Sequence, residues 1–402
     1  MIPKFVRKKF AGVQQPLGRW ILRHVAEFIV LSPAILVTWL WLKLSKKQVF
    51  LVGVASSSIS AFLQALEPEL RRRMRSSNGL SKLIVLNMAT DANSQIRKMY
   101  DRVVKIHGAE AKLKRRLIWW ASSLGKLQMP KIGFSEAQND PLWYTGDSIV
   151  SFTQSEIDFG EIFLRSIGLA KDQKIVCYAT RTASYYSSLE RSGVTLKAQS
   201  TRNPDERVYF EVAKVLSERG YFVIRMGKDL GSKVPKEFEN KIFDYASVAR
   251  SEFLDAYLLS RCDFLLNGGT GIFLFRAILN LPSVQTDLYR ILNNKLFGDI
   301  ALFQKVWLVN KNRLATVGEM VAMGDSVSDE RHQGRLGVRL VKNTAEEILA
   351  ACDEIEARLN GTWVTSEEDE ILQKKYWDLI CDSGFGGRIG AQFLRDNQDL
   401  LR

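Results

Sequence analysis

The stretch CDFLLNGGTGI, residues 262–272, combines residue types that suit the binding of a phosphate group. An apolar run that predicts a strand ends in Gly268, Gly269, Thr270 and Gly271, and a helical pattern follows at once. The first N–H groups of a helix have no partner within it, and glycines let an anion approach them closely. The pattern predicts a phosphate-binding turn, to which Thr270 adds a hydroxyl. A tight turn without a ligand would have the same sequence, and the stretch matches neither the P-loop nor the GxGxxG pattern.

Two other predicted strands also end in residues that suit a phosphate. The residues concerned are Arg181 and Tyr185 after the strand at 175–179, and Arg225, Gly227 and Lys228 at the end of the strand at 221–226. Arginine contacts phosphate oxygens in a bidentate manner, and ligands of open parallel sheets bind beyond the carboxyl ends of the strands. The three strand ends together therefore predict one phosphate site. Taken alone, Arg181 is more simply interpreted as a solvated loop residue, and a buried Arg225 needs an anionic partner that is either a protein carboxylate or a ligand.

Acidic residues near these strands have two interpretations. Asp255, in the predicted helix before the glycine turn, has the right chemistry to bind a ribose hydroxyl, but a structural role such as pairing with Arg225 is favoured. Asp91 follows the apolar stretch at 83–88 and has the best position for a catalytic base. His107, Asp147 and Glu156 are also of suitable chemical type. No motif supports any of the four, Asp91 included, and a structural role is favoured for each.

The elements that must position these residues alternate between apolar strands and amphipathic helices. Such alternation predicts parallel sheets that are covered on both faces, and hence an α/β fold with two Rossmann-like domains that face a cleft. The predicted segments are a basic and apolar helical segment at 1–47, an acceptor domain at 48–165, a donor-binding domain at 166–360, and C-terminal helices at 361–402 that pack back on the domains.

The N-terminal segment contains the uncharged run FIVLSPAILVTWLWL at residues 28–42, with basic residues on both sides. A spanning helix needs about 20 apolar residues, and this run is shorter and contains Pro33. A helix that lies on an anionic membrane surface is favoured, and a buried helix and a true span remain as alternatives.

Composition narrows the classes of partner and cofactor. The formal net charge of +13 favours anionic partners, but the basic residues gather in the N-terminal segment and in scattered helices, without a nucleic-acid-binding module. The four cysteines are far apart, which favours reduced and buried thiols. None of the three histidines is spaced as a metal ligand, so a zinc enzyme is not expected.

Several stretches within residues 150–402, taken together, resemble a family of bacterial glycosyltransferases of GT-B type. The stretches that carry the resemblance are FTQSE at 152–156 with Gly160 and Leu164, RTASY at 181–185, STRNPD at 200–205, VIRMG at 223–227, DAYL at 255–258 and RIGAQFL at 388–394. The family is distantly similar to fucosyltransferases that hold a nucleotide diphosphate with a His-x-Arg loop. Arg181 matches the arginine of that loop, whereas Ala179 stands at the histidine position, and residues 54–58 lack the family's glycine-rich turn.

The resemblance implies transfer of a hexosyl or deoxyhexosyl group from a nucleotide-sugar donor, without a metal or other cofactor. Arg181 and Arg225 would neutralise the leaving diphosphate, assisted by Lys228 and the glycine turn. The expected acceptor is a glycan or a lipid-linked glycan of bacterial surface polysaccharide synthesis, at the cytoplasmic face of the membrane. Two alternatives remain, a catalytically degenerate GT-B-fold binding protein and, less favoured, a basic nucleic-acid-binding protein.

Overall fold

A computed structural model describes residues 17–52, 59–75, 79–88, 91–128, 147–182, 203–228, 232–288, 299–328, 330–380 and 387–402 of the chain. Its helices are α1 Leu17–Leu44, α2 Ile59–Met74, α3 Ser94–Val103, α4 Lys112–Leu124, α5 Gln154–Ser166, α6 Glu206–Glu218, α7 Tyr245–Val248, α8 Glu252–Arg261, α9 Phe275–Leu279, α10 Val317–Met323, α11 Glu330–Leu336, α12 Ala345–Leu359, α13 Glu367–Leu379 and α14 Ala391–Asp396. Its strands are β1 Gln48–Val52, β2 Leu83–Asn87, β3 Ile106–His107, β4 Ile175–Thr180, β5 Phe222–Met226, β6 Ile242–Phe243, β7 Phe264–Gly268, β8 Ser283–Leu288, β9 Ile300–Phe303, β10 Lys305–Leu308, β11 Arg313–Leu314, β12 Val338–Val341 and β13 Arg388–Ile389.

Two parallel sheets form the two halves of the molecule. The N-terminal unit has the order β1-β2-β3, and the C-terminal unit has the order β13-β9-β8-β7-β4-β5-β6. A small antiparallel sheet, β11-β10-β12, accompanies the larger one. The predicted fold class, two Rossmann-like α/β units preceded by an apolar helix, is confirmed.

The central strands β4, β5 and β7 of the large sheet are mostly apolar because both of their faces are covered. Along β4, Val176 and Tyr178 join one buried cluster, whereas Cys177 and Ala179 join another, as the alternation of side chains in a strand requires. The second cluster also contains Phe50 of the small sheet, so apolar packing continues from one unit into the other. Cys177, Cys262 and Cys352 are buried free thiols, as expected, and Cys381 lies outside the described residues.

Helix α1 packs one face against the small sheet and leaves the other face exposed. Ile35 and Leu42 are buried against Val49, Ile84 and their neighbours. The part of the helix over Val25–Leu44 is long and apolar enough to cross a membrane, by length and composition alone. Its inner face nevertheless packs on the protein.

Two predicted helices differ in the structure. The sequence pattern over residues 95–107 predicts one helix, but the helix ends at Val103, because Val104 adopts an extended conformation and Ile106 pairs with Val85 as strand β3. The helix expected over 271–280 begins as a 3-10 turn, Gly271–Leu274, and continues as the short α9. The glycine turn therefore precedes only a short and irregular helix.

Candidate functional site

The strand order of the large sheet defines where a ligand would bind. From β4 the chain proceeds outward to β5 and β6, and it then returns to the other side of β4 with β7, β8 and β9. This is the 3-2-1-4-5-6 order of dinucleotide-binding folds, in which the crevice for the ligand opens where the order reverses. Here that switch point lies between the carboxyl ends of β4 and β7, where Thr180 pairs with Gly268.

The glycine turn forms one side of the switch point. Asn267 Oδ1 accepts hydrogen bonds from the Thr270 hydroxyl at 2.7 Å and from the Thr270 N–H at 3.3 Å, so the turn is braced from within. Gly269 has φ of 74°, a left-handed conformation that favours glycine. A Cβ on Gly268 would lie 2.6 Å from the Tyr209 hydroxyl oxygen. Packing and backbone geometry thus account for two of the three glycines without a ligand, whereas Gly271 is exposed.

Arg181 forms the other side of the switch point. The backbone N–H of Arg181 donates to the Gly268 carbonyl at 3.3 Å, so the backbone of Arg181 lies directly beside the glycine turn. The neighbouring Thr180 is buried, and its hydroxyl has no hydrogen-bond partner among the described residues. Sequence reasoning missed Thr180, although its place at the end of a predicted strand was a usable signal. Tyr185 lies outside the described residues.

Arg225 has protein carboxylates as partners. Its side chain is fully buried, pairs with Glu206, and lies 3.3 Å from Asp244 Oδ1. It also donates to the Ser232 carbonyl at 3.0 Å and stacks over the Phe210 ring. Both guanidinium NH2 groups thus have partners within the protein, so the structure supplies the first of the two anionic partners considered for a buried Arg225. Its contact with a ligand phosphate stays a prediction.

The remaining predicted donor-side residues are spread over this edge of the sheet. Gly227 follows β5 with φ of 146°, and Lys228 beside it is exposed. Asp255 is buried and accepts hydrogen bonds from Tyr245 at 2.9 Å and Arg250 at 2.6 Å. Burial raises the pKa of Asp255, against the lowering effect of Arg250 and Tyr245. The arginine that pairs with Asp255 is Arg250 and not Arg225, and these contacts favour a structural role for Asp255.

The predicted base belongs to the small sheet. Asp91 follows β2, accepts a hydrogen bond from Asn87 at 2.8 Å and lies 3.3 Å from the Arg97 guanidinium. His107 ends the adjacent strand β3 and is buried. Burial, followed by the nearby Lys114 and Lys105, lowers the pKa of His107. The role of Asp91 as a base stays a prediction.

The two units meet at the edges that carry these residues. A Cβ on Gly271 would lie 3.5 Å from the Ser60 hydroxyl oxygen at the start of α2. At a second contact between the units, Asn93 donates to the Glu252 carbonyl at 2.9 Å, and the Glu252 side chain accepts a hydrogen bond from the Ser94 N–H at 2.8 Å. The turn after β7 therefore faces the helix that follows β1.

Comparison with known proteins gives similarity of architecture only. No protein-family model and no curated protein matches the chain. A glycosyl transferase family 9 protein from Veillonella parvula DSM 2008 is 10% identical, with a TM-score of 0.47 over 78% of this chain and 97% of that chain. The E. coli ADP-heptose lps heptosyltransferase II is 11% identical, with a TM-score of 0.38 over 59% of this chain and 83% of that chain. At these values the activity has to be argued from this chain's own residues.

A further comparison corrects the expectation that no metal or cofactor is needed. The iron-containing dodecameric glycosyltransferase TibC from enterotoxigenic E. coli H10407 is among the similar structures, with 13% identity and a TM-score of 0.38 over 63% of this chain and 62% of that chain. The expectation that no metal or cofactor is needed was therefore wrong. Within the described ranges, no three His, Cys, Asp or Glu side chains are placed to hold a metal ion, so no residue is assigned to one.

Proposed function

We propose that this chain is a bacterial glycosyltransferase that takes a hexosyl or deoxyhexosyl group from a nucleotide-sugar donor. The observation that carries the proposal is the switch point between β4 and β7, with Arg181 on one side and the turn at residues 267–271 on the other. A crevice of this kind suits a nucleotide, and a cationic side chain beside backbone amides suits its diphosphate. The resemblance of residues 150–402 to the glycosyltransferase family narrows the ligand to a nucleotide-activated sugar.

The reaction breaks the bond between the sugar and the diphosphate, so negative charge develops on the leaving phosphate oxygen. Groups that are fixed before the reaction stabilise such charge most effectively. We assign this role to the Arg181 guanidinium, with the Thr180 hydroxyl and Lys228 as further donors. Arg225 acts indirectly in this proposal, because its pairs with Glu206 and Asp244 hold the strand end that carries Gly227 and Lys228.

The acceptor side of the proposal rests on the N-terminal unit. The start of α2 faces the glycine turn at Ser60, which supports an acceptor that enters from the carboxyl edge of the small sheet. Asp91 stays the proposed base at that edge. The proposed acceptor is a glycan or lipid-linked glycan of surface polysaccharide synthesis, at the cytoplasmic face of the membrane. We retain the four predicted segments as part of this proposal: the membrane-associating segment, the acceptor domain, the donor-binding domain and the C-terminal helices, at residues 1–47, 48–165, 166–360 and 361–402.

Release of nucleotide diphosphate from sugar nucleotides tests the proposal. The wild-type chain should release it in the presence of a bacterial membrane extract as acceptor source. Arg181→Ala should lower the rate by about 100-fold or more, as the loss of one fixed donor to a developing oxyanion does. The matched control is Arg219→Ala, because Arg219 lies at the far end of α6 and pairs with Asp353 on the surface. Equal rates for wild type and Arg181→Ala would contradict the assignment.

One observation favours a second candidate, a binding protein that keeps the fold without catalysis. Ala179, at the position of the histidine in fucosyltransferase loops, is buried within the second apolar cluster. A side chain at this position packs in the core instead of reaching a ligand. Binding of a nucleotide sugar without any release of nucleotide diphosphate would favour this candidate.

A further inference from the structure

A groove lies on the N-terminal unit, away from the strand ends that form the proposed donor site. It is a cavity of about 580 Å³ between α1 and the end of α4. Its apolar lining includes Phe28, Ile35, Leu36, Trp39, Leu124 and Leu127. This volume is within the range of sites that hold small molecules. The proposed glycosyl transfer gives this groove no role.

The groove lies beside the exposed face of α1. The large apolar side chains of that face are Val25, Ile29, Val30, Leu36, Val37, Leu40, Trp41 and Leu44, all exposed. Contiguous apolar surface of this kind marks an interaction site. Leu36 belongs both to this face and to the groove lining, so the groove and the exposed face are continuous.

The packing of α1 on the small sheet favours a helix that lies in the plane of a membrane over one that crosses it. The opposite face of the helix contacts the small sheet through Ile35 and Leu42. If the helix crossed a bilayer in this arrangement, the sheet and its polar edges would have to enter the hydrocarbon, where unpaired backbone groups are not tolerated. A helix that lies in the plane of the interface avoids this cost, because its outer face enters the lipid and its inner face stays on the protein.

Charge identifies the kind of molecule that fits the groove. Lys43 and Lys126 belong to its lining, and the Lys43 ammonium lies 5.0 Å from the centre of the Trp39 ring. The exposed Lys46 follows the end of α1. An apolar channel with two ammonium groups matches a hydrocarbon chain that ends in an anionic headgroup, since basic groups next to an interfacial helix attract anionic lipids.

We propose that this groove holds one acyl chain of an anionic membrane phospholipid, with its headgroup at Lys43 and Lys126. The exposed face of α1 lies in the same leaflet, so the chain enters the groove directly from the bilayer. Lipid binding in this manner needs neither a sugar nucleotide nor an acceptor. Its failure would therefore leave the glycosyltransferase proposal standing.

The test uses the full chain bound to phosphatidylcholine vesicles that contain phosphatidylglycerol with a photoactivatable group on one acyl chain. After illumination and proteolysis, cross-links should map to residues 124–127 and to the groove side of α1 at residues 28–39. Leu124→Trp fills the groove and should abolish the cross-links at 124–127. The matched control is Leu113→Trp on the same helix, because Leu113 is 59% exposed and Leu124 is 58% exposed but only Leu124 belongs to the groove lining.

The role of the two ammonium groups in headgroup binding is tested with the double variant Lys43→Gln and Lys126→Gln. This variant should lose the preference for phosphatidylglycerol over photoactivatable phosphatidylcholine at 124–127. Cross-links confined to exposed positions such as Val37 and Trp41 would overturn the proposal, as would equal labelling of Leu124→Trp and wild type. Protection of the groove by a second copy of the chain, seen as protein–protein cross-links at 124–127, would also overturn it.

Discussion

The two units differ in how completely their apolar surfaces are covered. The C-terminal sheet has seven strands whose two faces are both covered, and its fully buried Arg225 is paired with Glu206 and Asp244. The N-terminal sheet has three strands, and the helix that covers it exposes an apolar face of its own. The two units share a buried apolar cluster, but only the smaller one presents an apolar helix face that suits a partner. This difference is one reason for the proposed division between a donor unit and a membrane-facing acceptor unit.

The largest expected effect concerns the buried charges of the C-terminal unit. Arg225→Ala should lower the free energy of unfolding by about 3–5 kcal/mol, because it removes a fully buried side chain from the core and leaves the partly buried Glu206 and Asp244 without their cation. Chemical denaturation monitored by circular dichroism measures this change. Arg207→Ala is the control, since the exposed pair of Arg207 with Glu211 contributes less than about 1 kcal/mol. If Arg225→Ala unfolded at the same denaturant concentration as the wild-type chain, the ion pairs described for Arg225 would be contradicted.

The glycine turn gives the next largest effect. In Gly268→Ala the new methyl group would meet the Tyr209 hydroxyl oxygen at 2.6 Å, which should cost about 1–3 kcal/mol of stability through overpacking. The same variant should bind nucleotide sugar more weakly, because the displaced Tyr209 moves the turn. Gly334→Ala serves as control, since nothing lies within 4 Å of its Cβ position. If Gly268→Ala matched the control in thermal unfolding, the close packing at the switch point would be refuted.

Acid should weaken the N-terminal unit through His107. The pKa of His107 is below its ordinary value of about 6.5 in the folded chain, so folding favours the neutral imidazole. This contribution to stability is complete above the ordinary pKa and is lost as the pH falls toward the folded pKa. In denaturation curves between about pH 7 and pH 5, His107→Gln should therefore lose less stability than wild type. A steeper loss in His107→Gln would contradict this sign.

The smallest effect on stability is expected on the exposed face of α1. Val37 is 66% exposed, so Val37→Glu should change the free energy of unfolding by no more than about 0.5 kcal/mol. Its co-sedimentation with anionic vesicles should nevertheless fall strongly, because a carboxylate is costly in the lipid interface. Val364→Glu is the control in the C-terminal unit, where Val364 is 86% exposed. Equal vesicle binding by Val37→Glu and wild type would remove this face from the membrane contact.

Several elements of the C-terminal unit could be predicted from the sequence because their patterns are clear. The apolar run at 175–179 predicts a strand, which is Ile175–Thr180 in the structure, and the helical pattern at 366–380 predicts a helix, which is Glu367–Leu379. Strand β8 was missed, because its sequence SVQTDL is mostly polar. Contacts between residues that are far apart in the sequence could not be predicted. Glu206 and Asp244, the partners of Arg225, are 19 residues away on either side, and no local pattern links them. The same limit applied to β3, a strand of two residues that exists only because Ile106 meets Val85.

Candidate site residues were identified where a strand end and a residue type coincided, as for Arg181 and the glycine turn. The structure added the strand order, which residue types alone do not reveal. The 3-2-1-4-5-6 order makes the gap between β4 and β7 the switch point, and it places the end of β5, with Gly227 and Lys228, one strand further out. The two faces of α1 likewise became distinct only once the sheet beneath it was known.

Thermal unfolding of the purified chain with UDP-, GDP-, CMP- and ADP-sugars tests the central claim most directly. One nucleotide class should raise the unfolding temperature in a concentration-dependent manner, since a ligand that binds only the folded state stabilises it. Arg181→Ala should lose most of that shift, by about 10- to 100-fold in affinity, while Arg219→Ala keeps it. No shift with any sugar nucleotide, or an equal shift in wild type and Arg181→Ala, would contradict a donor site between β4 and β7.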